Sequence, residues 1–276
     1  PGACRRAGRG MLVFRSNLMV AAIVLVDLDD TLFQTARKCP AAVNASDLTP
    51  YGWTAAGEAI SFATPPQVAL IDWLQESTRL VVVTARSGDA LSRTRMDFDL
   101  AVVAHGGGIV DHHPNSPPPE RRFAADWRAI MSKRVVEPAL EEVLEHVRSE
   151  SARLRMGVRA SIVGEAGLPL YVVVKHELPD GNDPELHAVC AGPITNLAPG
   201  WSAHVNGNNV AIMPPGLGKA FAVEWLLPEL KAEHPSLPVI GIGDSFTDAG
   251  FMRLCDFAMT PTHSQLATRL FPDSGQ

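Results

Sequence analysis

Apolar residues gather in short, unbroken runs at 23–26, 80–83, 100–103, 239–242 and, more weakly, 257–259. Each is rich in Val, Ile and Leu and is bounded by Gly, Asp or Thr. Runs of this length without polar alternation are how strands covered on both faces read. Amphipathic stretches separate them. Pro65-Pro66 opens one, whose inner face is expected to carry Val68, Leu70, Ile71 and Leu74. Another spans 218–230, with Phe221, Val223, Leu226 and Leu227 facing inward. Strand and helix in alternation predict an α/β fold built on a Rossmann-like parallel sheet.

The middle of the chain has a different pattern. After Gly106-Gly107-Gly108, the stretch His112-His113-Pro114-Asn115-Ser116-Pro117-Pro118-Pro119 reads as a linker. Pro138 then opens a helix with Leu140, Val143, Leu144 and Val147 on one face. Strand-like runs follow at 158–163 and 170–174, and a loop-rich passage at 192–200 precedes Trp201. Residues 112–200 are therefore expected to form an α+β unit inserted between the two parts of the sheet domain, 11–111 and 201–276.

Composition narrows the function classes. The chain is 46% hydrophobic and 20% charged, which excludes disorder and fibrous repeats. A net charge of −6 and 6% aromatic residues argue against nucleic acid or an acidic membrane surface as partner. Cys4, Cys39, Cys190 and Cys255 make no CxxC pair, which points to a reducing, cytoplasmic setting; Cys39 and Cys190 read as packing thiols. Arg5, Arg6, Arg9 and Arg15 precede the apolar run 18–26, but that run leads straight into Asp27 with no cleavage-site pattern. It reads as a buried strand and not a leader. Residues 1–10 are expected to be disordered upstream sequence, with Met11 or Met19 as a natural start.

Four short motifs carry candidate chemistry. Asp27-Leu28-Asp29-Asp30-Thr31 follows the first apolar run, and crowded carboxylates at a strand end call for a cation or a shared proton. Thr84 ends the run at 80–83, where its hydroxyl can donate to a phosphate oxygen or cap a helix. Pro214-Pro215-Gly216-Leu217-Gly218-Lys219 leads a lysine into a helix start, without the spacing of a Walker loop. Gly241-Ile242-Gly243-Asp244 and Asp248 place two more acids after a buried strand, the glycines allowing close backbone approach. An oxygen-only cluster of Asp27, Asp29, Asp244 and Asp248 suits Mg²⁺. Taken singly, each motif has a plain structural reading as a cap, a surface acid or a solvated lysine.

Together and in this order, the motifs resemble those of the haloacid dehalogenase superfamily. Asp27, Asp29 and Thr31, then Thr84, Lys219, and Asp244 with Asp248 correspond to its four motifs. The insertion between the second and third resembles the C2-capped group, and Asn206-Gly207-Asn208-Asn209 with the segment to Lys219 is similar to the Cof and sucrose-phosphate-phosphatase branch. His105 stands where that branch often has Asn, Thr247 where Asn is common, and 35–64 is a longer connection than usual.

The resemblance implies an Mg²⁺-dependent phosphatase for a small phosphorylated metabolite, a phosphosugar or related monoester. Asp27 would be the nucleophile, forming an aspartyl-phosphate, and Asp29 the acid and base, its pKa raised by burial as the cap closes. Thr84 and Lys219 would bind phosphate, and the ion would be held by Asp27, the Asp29 backbone, Asp244 and Asp248. Arg86, His105 and Lys175 are candidate substrate contacts, as are His176 and His187, though such residues are more often structural. A phosphomutase or phosphotransferase, or a non-catalytic phospho-ligand-binding module, stays open. The oligomeric state cannot be read.

Overall fold

The computed structural model describes residues 20–111, 122–177, 186, 190, 200–206 and 209–271. The expected linker at 112–119 with His112 and His113, the passage 192–199, His187, Cys4 and the chain start lie outside them.

The first part of the chain forms β1 (Ile23–Val26), a hairpin of β2 (Thr49–Trp53) and β3 (Ala59–Ala63), then helix α1 (Pro65–Ser77). Next come β4 (Arg79–Val83), α2 (Gly88–Ser92), β5 (Leu100–Val103) and β6 (Gly108–Asp111). Helices α3 (Arg122–Ser132) and α4 (Glu137–Leu154) precede β7 (Val158–Glu165) and β8 (Leu168–His176). The last part gives β9 (Ser202–Asn206), β10 (Asn209–Met213), α5 (Lys219–Glu233), β11 (Val239–Ile242), α6 (Phe246–Met252), β12 (Phe257–Met259) and α7 (Gln265–Leu270).

The large sheet has the order β12-β11-β1-β4-β5-β6. Every side chain of β1 is buried because both faces are covered. Ile23 and Leu25 pack with residues of α5 and α6, whereas Val24 and Val26 pack with Ile71 and Leu74 of α1. The two prolines begin α1, and Gln67 Oε1 accepts from the backbone N–H of Thr64 at 2.9 Å, closing its first turn. β1 pairs in parallel with β11 on one side and β4 on the other, with Val26 opposite Ile242 and Val82. That register decides where the site lies. Asp27, Thr84 and Asp244 follow three neighbouring parallel strands and leave the sheet at its carboxyl end.

Two features refine the sequence expectations. β6 runs antiparallel to β5 as an edge strand, so the glycine-rich turn at 106–108 reverses the chain and does not end the sheet. α3 belongs to the large sheet too: Phe123, Trp127 and Met131 share a buried cluster with Val81, Val83 and Phe251.

The smaller sheet, in the order β7-β8-β10-β9, is antiparallel. One face packs against α4 through Leu140, Val143, Leu144 and Val147, the helical face expected from the sequence, with Val172, Val174, Val210 and Ile212 opposite. β9 and β10 pair within this sheet, so 202–213 does not return to the large sheet at 201 as expected; Met213 is its last strand residue. Hydrogen-bond pairing with β8 outweighs sequence proximity to Lys219 here. The fold is thus an α/β parallel-sheet core carrying an inserted α+β cap. No described helix is long and apolar enough to cross a membrane.

Candidate active site

The strand ends bring five of the expected residues into direct contact. Lys219 Nζ donates to Asp27 Oδ1 at 2.6 Å and to Asp248 Oδ1 at 2.7 Å. Thr31 Oγ1 lies 3.3 Å from Asp27 Oδ2 and 3.2 Å from Asp244 Oδ1, within reach of both carboxylates. All five side chains are buried. Lys219 reaches inward because it is the first residue of α5, which packs along the sheet through Ala222, Val223 and Leu226. The acids owe their place to the ends of β1 and β11.

The charge balance of the cluster is uneven. Three carboxylates share one ammonium, and oxygen atoms of Asp27, Asp244 and Asp248 lie within 4.8 Å of one another. Burial pushes Asp27 up to about 8 against the pull of Lys219, with Asp248 adding to the rise. Burial likewise pushes Asp244 up to about 7, helped by Asp248 and Asp30. Burial acts on Asp248 in the same sense, yet Lys219 and Ser245 outweigh it and hold Asp248 below the ordinary carboxylate range. Asp248 is fully engaged: its Oδ2 accepts from Ser245 Oγ at 2.6 Å and from the Ser245 backbone at 3.0 Å. Hard oxygen donors with surplus negative charge fit a divalent cation such as Mg²⁺: Lys219 pairs with Asp27 and Asp248, and Asp244 is the acid it does not touch.

Thr84 is fully buried beside the cluster, where its Oγ1 accepts from Arg86 N at 3.1 Å and keeps its own proton to donate. Asp29 points elsewhere. Both of its oxygens accept from Arg86, Oδ2 from Nε at 2.8 Å and Oδ1 from Nη2 at 2.7 Å. Arg86, expected as a substrate contact, is therefore occupied by the acid two residues beyond Asp27.

The other two expected contacts are placed differently. His105 is buried, set edge-on to Tyr171 at 5.2 Å between ring centroids and to His204 at 5.5 Å. Burial, then Lys219 and His204, push His105 down to about 3, so it is neutral at physiological pH. Its turn is strained: Ala104, His105 and Gly106 all have positive φ, at 51°, 56° and 95°. Trp127 Nε1 donates to Gly106 O at 2.9 Å, and a Cβ at Gly106 would strike the Gly218 carbonyl. The turn thus abuts the residue before Lys219. Lys175 is exposed on β8, opposite Asn209 and Arg159, and the structure does not bring it to the acids. His176 is buried on the opposite face of that strand.

A pocket with an empty volume of about 440 Å³ opens onto Asp27, Asp29, Lys219 and Asp244. Sequence reasoning missed several of its other walls. Gln265 comes from the start of α7, and His204 and Val205 come from β9 of the smaller sheet. Burial, then Lys219, holds His204 below the ordinary histidine range. It pairs across the strands with Ala211, so the alternation of β10, with Val210 and Ile212 on α4, puts His204 on the face turned to the crevice. The hairpin end of the smaller sheet also touches the core, as Glu165 Oε2 accepts from Gly88 N at 2.8 Å.

No protein-family model and no curated protein sequence matches this chain. Solved structures do. The sucrose-phosphatase of Synechocystis sp. PCC6803, solved with sucrose and phosphate, aligns at a TM-score of 0.54 and 15% identity, over 94% of this chain and 90% of that one. This chain shares the fold of that phosphatase. Two further structures of that architecture are similar to it. The C-terminal domain of trehalose-6-phosphate phosphatase from C. albicans aligns at 0.51 with 13% identity, over 85% of this chain and 73% of that one. An IMP-bound, N-terminally truncated IMP-nucleotidase of Plasmodium falciparum aligns at 0.51 with 14% identity, over 92% and 68%. In this chain the smaller sheet and α4 stand between Thr84 and Lys219 in sequence.

Proposed function

We propose that this protein is an Mg²⁺-dependent phosphatase acting on a small phosphorylated metabolite, a phosphosugar or related monoester. One observation carries the reading: Lys219 bridges Asp27 and Asp248 at the strand ends while Asp244 stands beside them with its charge uncompensated. The neighbours that bind sucrose with phosphate, or IMP, support a phosphoryl crevice.

Asp27 is the nucleophile, its carboxylate oxygen forming the bond to phosphorus. Lys219 and Thr84 meet phosphoryl oxygens, donors already in place before charge develops. Asp29 gives its proton to the leaving oxygen and later takes one from the attacking water. Asp248 orients Lys219, and Asp27 and Asp244 with the Asp29 backbone carbonyl would hold the ion. Bound there, Mg²⁺ supplies Lewis acidity and the positive charge that favours ionised Asp27. The smaller sheet acts as a cap, with His204 and Val205 against the leaving group, and so limits substrate size. The free thiols Cys39, Cys190 and Cys255 fit a cytoplasmic setting.

Phosphate release from p-nitrophenyl phosphate and a panel of phosphosugars, glycerates and nucleotides, with Mg²⁺ and with EDTA, tests this. Mg²⁺-dependent release abolished by Asp27→Asn is the expected result. Release unchanged by that substitution, or no release from any ester, overturns the reading.

A further inference from the structure

We propose that Arg86 is a positioning residue for Asp29, and that the β2–β3 hairpin holds Arg86 in that role through Ser61. The proposal rests on the phosphatase reading and assigns a task to the connection 35–64, which the four motifs leave without one.

The guanidinium is fixed from several directions. Nε and Nη2 grip the two oxygens of Asp29, and Nη2 also donates to Ser61 Oγ of β3 at 3.1 Å. The Arg86 Cζ lies 5.4 Å from the centre of the Phe33 ring, and that ring stacks on Tyr51 of β2 at 5.9 Å. Gly52, also on β2, faces the same group: a Cβ there would stand 3.2 Å from Ser61 Cβ and 3.4 Å from Arg86 Nη1. From below, the Arg86 backbone N–H is tied to Thr84. The Arg86 side chain is 14% exposed, whereas the Asp29 side chain it grips is 37% exposed and lines the pocket. A rigid fork thus presents a carboxyl to the crevice. Two parallel N–H···O bonds fix the rotation of that carboxyl, which a lysine's point charge cannot do.

The reaction requires the grip to alternate. As Asp27 bonds to phosphorus, the bond to the ester oxygen breaks and its electron pair leaves on that oxygen, which takes the proton of Asp29. Both Asp29 oxygens can then accept from Arg86. In the second half, water bonds to phosphorus and gives a proton to Asp29, while the Asp27–phosphorus bond breaks and its electrons return to Asp27. A protonated Asp29 has one oxygen occupied by hydrogen, so one of the two Arg86 bonds opens at that stage. Arg86 passes between a two-bond and a one-bond hold in step with each proton transfer.

The test compares esters that differ in their need for a proton. Alkyl phosphates require protonation of the leaving oxygen; p-nitrophenolate departs without it. We expect Arg86→Gln to lower kcat/KM for an alkyl phosphosugar by about 10²-fold, with KM little changed and p-nitrophenyl phosphate reduced only a few-fold. Arg86→Lys should recover part of the loss. Ser61→Ala should act in the same direction by about 3–5-fold, and it carries the test if melting shows Arg86→Gln unfolded. In an Asp29→Asn background, Arg86→Gln should add nothing. Equal losses on both esters, a KM rise with kcat intact, or full additivity with Asp29→Asn overturns the proposal. Failure of the phosphatase reading looks different: the unaltered protein would then be inert towards every ester.

Discussion

The floor and the lid of the crevice are built on opposite terms. The floor is made at the ends of β1, β4 and β11, where Asp27, Thr84, Lys219, Asp244 and Asp248 are all buried and each touches a partner within 3.3 Å. The lid offers half-buried His204, exposed Lys175 and exposed Arg159 on an antiparallel sheet whose other face packs on α4, while Tyr171 and Ala211, on the same face as His204, join the large-sheet cluster. Parallel register holds the floor in one arrangement, so its chemistry is set before a ligand arrives. Exposed Lys175 and Arg159 contribute little to its core and can differ at little cost to the fold. Under the proposed function, reaction type belongs to the floor and substrate choice to the lid.

Removing the proposed nucleophile is the severest way to break this division. Asp27→Asn should cut kcat by at least about 10³-fold on every substrate, read as phosphate release with Mg²⁺ present. Lys219→Met should lower kcat by about 10²–10³-fold and lower the melting temperature as well, because Asp248 is left buried without its ammonium. A kinetic loss without thermal destabilisation would contradict the shared role.

On the lid, His204→Ala should leave p-nitrophenyl phosphate turnover within about threefold. It should shift the ranking of larger sugar phosphates by about tenfold, mainly in KM. A uniform loss across substrates would move His204 to the floor.

The smallest expected effect is thermal. In Mg²⁺-free protein, stability should fall as pH rises from about 6.5 to 8. Over that range the unfolded chain has already lost the protons that folded Asp27 and Asp244 retain; His105, neutral when folded and partly protonated when unfolded, offsets the fall in part near pH 6.5. Saturating Mg²⁺ should flatten this slope, and Asp27→Asn should reduce it, both measurable as melting temperature against pH.

The floor was legible in the sequence because both of its signals are local. A short apolar run bounded by Asp or Thr marks a doubly covered strand and also what stands at its end. The hairpin was not legible. β2 and β3 form a two-stranded ribbon, half-exposed, with a register shift at Gly52, so no clean alternation marks them. Helix α3 did leave a signal, since Phe123, Trp127 and Met131 recur every fourth residue. The placing of β9 and β10, the approach of His204 and the grip of Arg86 on Asp29 depend on pairing between distant segments, which periodicity along one segment does not encode.

The turn at Gly106 has a consequence for tracing this site in remote chains. Any side chain at that position would displace the carbonyl that precedes the active lysine, in a backbone conformation few other residues adopt. Among sequences too far diverged to align with confidence elsewhere, the identity of that single residue distinguishes those able to seat their lysine in the same way from those that must have rebuilt the corner.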